Sequence, residues 1–182
     1  MDEISVVLIK PDGVRRGLIG EIISRFEKTG LELIAGKMIV VPEELAMKHY
    51  EVNEEWYENV GKKVIKFYDK VGKDPEEDLG VNTPREIGEY VMQQNINYLT
   101  EGPVIAMLWK GPHAVDVIRK KVGSTFPKEA APGTIRGDFG YYSATLANQN
   151  KTPSYNLVHA SGTPEEAKFE RKLWFREDEI YE

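Results

Sequence analysis

The chain has 182 residues, 41% hydrophobic and 30% charged, and its 24 lysines and arginines against 30 aspartates and glutamates give a net charge of -6. That balance describes a soluble globular domain able to bury one core, and it argues against a general nucleic-acid binder, which needs a basic face. No cysteine is present, which excludes disulfides and thiolate metal sites and points to an intracellular, cytoplasmic setting.

In chain order, the β-branched run Ile4 to Ile9 predicts a buried strand, ended by the turn Lys10-Pro11-Asp12-Gly13. Leu18, Ile19, Ile22, Ile23 and Phe26 recur at helical spacing, with Gly30 as the stop. Leu31 to Val41 reads as a second strand, and Pro42 opens a helix to about Tyr50. Pro103 to Trp109 reads as a third strand, followed by a helix from Pro112 through Lys121 and a long loop over Gly123 to Gly140. Tyr142 to Leu146 alternates like a fourth strand. The last helix, Glu165 to Leu173, is signposted by Thr163 as N-cap and Pro164 as first residue. No apolar run reaches the ~20 residues of a membrane helix, and no secretory leader is expected. The expected fold class is α+β: a four-stranded antiparallel sheet with helices on one face, on the ferredoxin-like split βαβ plan.

The stretch between Tyr50 and Gly102 is longer than that plan requires. It predicts two helices, Tyr57 to Lys70 and Thr83 to Leu99, joined by an acidic turn over Lys73 to Asp78. We read residues 1–182 as one domain carrying a helical insertion at about 53–98 and a short polar loop insertion at about 147–155.

The chemistry centres on Asn156-Leu157-Val158-His159-Ala160-Ser161-Gly162. His159 is placed in a turn ahead of the last helix, where an imidazole can serve as a neutral nucleophile near pH 7. Glu170 can reach back to one ring nitrogen, and Ser161 can share that work. There is no P-loop and no GxGxxG. Instead, Lys10, Arg119, Thr125 and Arg136 offer phosphate-binding groups from separate segments. His49 and His113 are assigned to structure.

Four motifs together resemble nucleoside diphosphate kinases: Ile9-Lys10-Pro11-Asp12-Gly13-Val14, Arg16-Gly17-Leu18-Ile19-Gly20-Glu21-Ile22, Pro132-Gly133-Thr134-Ile135-Arg136-Gly137-Asp138-Phe139, and the stretch around His159. The resemblance implies transfer of a γ-phosphoryl group from a nucleoside triphosphate to a diphosphate through a phosphohistidine, with ATP, GTP, GDP and ADP among the nucleotides. It implies Mg²⁺ carried on the nucleotide phosphates, with no protein side chain as ligand. It makes His159 the phosphorylated residue, Lys10 a phosphate-binding lysine, Tyr50 a ring flanking the histidine, and Glu170 and Ser161 its supporting groups. Arg119, Thr125 and Arg136 correspond to phosphate-holding residues, and Asn156 to an asparagine on the ribose. Assembly as a hexamer or tetramer is implied, with the Gly123 to Pro132 loop at the contact.

Two positions depart from the family pattern: Gly162 and Val52 stand where acidic residues are common. The base-stacking phenylalanine falls within the lengthened region, where Trp56 and Tyr57 are candidates. Two other classes are weighed beside this reading. A binding module of the same fold would form no phosphoprotein with ATP, and a metal phosphohydrolase would release phosphate without an acceptor.

Overall fold

The computed structural model describes residues 2–181. Its centre is a four-stranded sheet in the order β2-β3-β1-β4, formed by β1 (Asp2–Ile9), β2 (Glu32–Val40), β3 (Pro103–Pro112) and β4 (Val158–Ala160). Every pairing is antiparallel. The helices are α1 (Pro11–Arg15), α2 (Ile19–Glu27), α3 (Glu43–His49), α4 (Glu54–Val71), α5 (Pro75–Leu79), α6 (Pro84–Thr100), α7 (Ala114–Val122), α8 (Ile135–Phe139), α9 (Ala144–Asn150) and α10 (Pro164–Trp174). None is long and apolar enough to cross a membrane among the described residues.

The strand alternation sorts the core into two layers. Val7 and Ile9 pack with Ile22 and Phe26 of α2 and with Ile118 and Val122 of α7. Val6 and Leu8 face the other way, against Ala46 of α3, Ile96 and Leu99 of α6 and Trp174 of α10. The sheet is thus covered on both faces, not on one as its sequence suggests. That second face is covered by α3, α10 and α6, whose Ile96 and Leu99 continue a helix that the lengthened region begins.

Helices α4 and α6 pass very close to each other. A side chain at Gly61 would collide with the Pro84 backbone, and one at Gly88 with the Tyr57 backbone, so both positions require glycine. Beyond that crossing, Val64, Tyr68 and Ile87 make a small cluster of their own. The caps agree with the sequence: Thr83 and Glu86 form a reciprocal capping box, and Thr163 Oγ1 accepts from the Glu166 amide at 3.1 Å.

The fourth strand is a correction. The Tyr142 to Leu146 segment leads into α9, because Ser143 Oγ accepts the Leu146 amide at 3.1 Å and caps a helix there. The strand that completes the sheet is the three-residue β4, and His159 lies within it rather than in a turn. The Gly123 to Gly140 loop likewise contains α8 and a short 3-10 turn at Pro127–Glu129. The first part of the polar insertion, up to Asn150, is the end of α9, and Lys151 makes its exit turn, so only the remainder is loop.

Candidate active site

Strand β4 sets His159 opposite Leu8 of β1, so the two side chains share the sheet face covered by α3 and α10. Glu170, one turn from the end of α10, meets the ring there: its Oε1 lies 2.6 Å from His159 Nε2. Its other oxygen accepts from Ser161 Oγ at 2.6 Å, and Ser161 Oγ in turn accepts the Val6 amide at 3.0 Å. A carboxylate is an acceptor only, so Nε2 carries the ring proton and Nδ1 keeps its lone pair. Ser161 is fully buried and acts on Glu170, not on the imidazole as the sequence suggested.

The structure adds a second imidazole that the sequence reading leaves out of the site. His49, the last residue of α3, stands edge-on to His159 with ring centroids 4.4 Å apart at 84°. Its Nδ1 accepts the Trp174 indole N–H at 3.3 Å. Burial first, then the neighbouring His159 and Lys10, hold its pKa well below the usual histidine value, so the ring is neutral. His49, His159 and Glu170 bring three ligand atoms within 4.8 Å of one another. His49 Nδ1 takes the Trp174 indole N–H and His159 Nε2 pairs with Glu170 Oε1, so the cluster is tied into a hydrogen-bonded network. Tyr50 lies one ring further out, 4.9 Å from His49, at the cleft wall. Burial and then the Glu170 charge push its phenol pKa up.

Phosphate-type recognition groups gather at the end of β1. Lys10 is only 7% exposed, and its ammonium donates to Asn156 Oδ1 at 2.9 Å. Desolvation, then Arg136, lowers its pKa to about 7, with Asp12 opposing. Asn156 Nδ2 donates to the Thr125 carbonyl at 3.1 Å, which fixes which way its amide points. Arg136 of α8 donates to the carbonyls of Asn156, Gly123, Ser124 and Val158 at 2.6 to 3.1 Å. A guanidinium has five N–H groups, so one is left for a ligand and the rest tie two loops to β4. Its burial brings the Arg136 pKa down to about 10.

These groups line one open cleft of about 1390 Å³, ample for a small-molecule ligand. His159, Lys10, Arg119, Thr125, Arg136 and Asn156 all border it. Lysines and arginines reach it from α4, α7, α8 and the ends of β1 and α9, against one carboxylate, Glu166. A net acidic chain has therefore concentrated cations in a single cavity. Of the two aromatic candidates, Trp56 borders the cleft, while the Tyr57 ring packs under the Arg85 guanidinium, 5.1 Å from its centroid. Gly162 donates its amide to Glu166 Oε2 at 2.7 Å, and that carboxylate fills the space a side chain at 162 would enter.

The profile of the nucleoside diphosphate kinase family matches residues 3–70 and 85–180. A nucleoside diphosphate kinase of Pyrobaculum aerophilum is 44% identical over 180 residues, covering 99% of this chain and 98% of the relative. The crystal structure of an NDP kinase from that organism superposes with a TM-score of 0.94 at 43% identity, over the whole of both chains. A nucleoside-diphosphate kinase from Borrelia burgdorferi, solved as a transition-state mimic with vanadate and ADP, gives a TM-score of 0.78 at 36% identity. That match spans 100% of this chain and 91% of the other. Joined to a cation-lined cleft around a carboxylate-held histidine, these likenesses establish that the chain belongs to the nucleoside diphosphate kinase family.

Proposed function

We propose that His159 is the nucleophile in a two-step transfer of a γ-phosphoryl group from a nucleoside triphosphate to a nucleoside diphosphate, the reaction of this family. The observation that carries it is the 2.6 Å contact between Glu170 and Nε2, which leaves Nδ1 as the reactive nitrogen beside the cleft. Nδ1 attacks the γ-phosphorus, an N–P bond forms, and the bond to the β-phosphate oxygen breaks to release the diphosphate. A terminal oxygen of the incoming diphosphate then attacks the same phosphorus and expels the imidazole. No general base is required, because the attacking atom has no proton to lose. Nε2 keeps its proton throughout, and the positive charge that develops on the ring faces Glu170.

Lys10, Arg119, Thr125 and the free N–H of Arg136 are assigned to the phosphates, where charge builds on the transferring oxygens. Asn156 retains a donor hydrogen for a ribose hydroxyl, and Trp56 is the aromatic face offered to the base. Stacking is tolerant of base identity, which suits a site that serves ATP, GTP, ADP and GDP alike. The family's chemistry uses a divalent cation, and we assign it as Mg²⁺. The fit is to an ion carried by the nucleotide, since Glu166, the one carboxylate at the cleft among the described residues, is engaged by the Gly162 amide. When bound, such an ion supplies additional charge neutralisation at the phosphates.

We read the chain as one domain, with 53–98 and 147–155 as insertions; within the first, α4 and α6 share their own apolar cluster, and the family match lapses over 71–84 alone. Assembly into a homo-oligomer, hexamer or tetramer, is also proposed. Its support is the open edge of β2, where Leu33, Met38 and Val40 are 42%, 59% and 66% exposed. Sedimentation showing monomer alone at micromolar concentration would contradict it. The functional assignment is tested with His159→Ala: ATP-to-GDP exchange should vanish with the fold retained, and substantial exchange by that variant would refute it.

A further inference from the structure

Two of the groups assigned to the nucleotide, Lys10 and Asn156, meet at one side chain that the sequence reading does not single out. Tyr98, in the last turn of α6, is 1% exposed. Its phenol donates to Asp12 Oδ1 at 2.6 Å and accepts the amides of Asn156 at 3.1 Å and Leu157 at 3.4 Å. The Lys10 ammonium sits over its ring, 4.7 Å from the centroid. The ring is itself pinned by the edge of Tyr155 at 4.9 Å.

The segment this oxygen holds is a strained one. Leu157 has φ of +70°, a left-handed conformation disfavoured for a residue that carries a side chain. Tyr98 accepts the two successive amides that flank the Asn156 Cα, while the Lys10 amide donates to the Leu157 carbonyl at 2.8 Å. These anchors act beside the Arg136 and Val158 donors to the Asn156 carbonyl in holding the backbone that presents Asn156. Burial and the Asp12 charge keep the phenol protonated, so its donor role is constant across the working pH range.

We propose that Tyr98 is a positioning residue for nucleotide binding: through one phenol and its ring, α6 fixes the Lys10 ammonium and the Asn156 side chain in the geometry that receives the phosphates and ribose. This rests on the functional reading above. It gives the lengthened helical region a direct link to the site, since α6 is packed against α4 at Gly88. Tyr98 touches neither the substrate nor His159, so its effect is expected on binding and not on the nucleophile.

The test is steady-state ATP-to-GDP exchange by the full chain carrying Tyr98→Phe, Asn156→Ala, or both. Tyr98→Phe keeps the ring under Lys10 and removes only the hydroxyl. The expected result is a KM about tenfold higher with kcat within about twofold. The double variant should lose little beyond Asn156→Ala, because both changes disable the same contact. Full multiplication of the two losses, or a wild-type KM for Tyr98→Phe, would overturn the proposal. An exchange measurement on the unmodified protein stands apart from how the variants fold: the Asn156 and Leu157 amides should exchange with solvent slowly, and rapid exchange at both would also overturn it. Failure of the functional reading is distinguishable, since the unmodified protein would then show no phosphoryl exchange at all.

Discussion

The pH dependence of nucleotide binding follows from Lys10. In the free protein, burial and the adjacent Arg136 bring its pKa from the ordinary 10.5 to about 7. A bound polyphosphate replaces lost hydration with negative charge and raises that pKa again, so above about pH 7 binding must take up a proton. Each pH unit in that window then weakens binding about tenfold, or about 1.4 kcal/mol, and between pH 7 and 9 the loss is on the order of 10²-fold. Below pH 7 the ammonium is already charged and this dependence disappears. Phosphate ionisation does not confuse the measurement above about pH 7.5, since the relevant phosphate pKa lies near ~6. Titration calorimetry of ADP at pH 7.5 to 9, in buffers of different ionisation heat, should show uptake approaching one proton. Lys10→Arg, whose guanidinium stays charged, should flatten the profile. Equal ADP affinity at pH 7.5 and 9, with no proton taken up, would refute the reasoning. The same shift has a stability sign: the unfolded chain binds the extra proton between pH 7 and 10.5, so free-protein stability contributed by Lys10 rises with pH across that window.

Further outcomes concern the histidine pair and the helix crossing. Glu170→Gln presents an amide that can donate to Nε2, moving the ring proton to Nδ1; kcat should fall by ~10²–10⁴ with KM little changed, and an unaltered kcat would remove Glu170 from the tautomer argument. His49→Leu leaves the Trp174 indole N–H unpaired in a buried site and removes the ring beside His159, so stability should drop by about 1–3 kcal/mol in urea unfolding, with kcat reduced. Gly88→Ala forces α6 away from the Tyr57 backbone and should cost about 1–3 kcal/mol or more in the same assay; a neutral result would mean the helices are not in backbone contact.

Much of the architecture was legible because its signals are local. The β-branched runs before Lys10 and Trp109 announce β1 and β3, and Thr163-Pro164 and Thr83-Pro84 announce their helices. Strand β4 was not, since three residues are too few to show a period and its pairing with β1 is long-range. The alternating segment at Tyr142 misled because Ser143 was free to cap a helix. In the site, the motif around His159 pointed to Glu170 eleven residues on. His49 lies 110 positions earlier, and Tyr98 a further long-range partner; only the packing of α3 and α6 onto the sheet brings them in. Neither has a local pattern that distinguishes it from an ordinary helix residue.

The central claim is that Nδ1 of His159 carries the phosphoryl group between nucleotides. Incubating the protein with γ-labelled ATP and no acceptor, then locating the label by ³¹P spectroscopy and peptide mass spectrometry, tests it most directly. The account predicts one acid-labile, base-stable phosphoryl group on Nδ1 of His159, discharged on addition of GDP. Label on Nε2 or on another residue, or steady release of inorganic phosphate in place of a trapped intermediate, would contradict it.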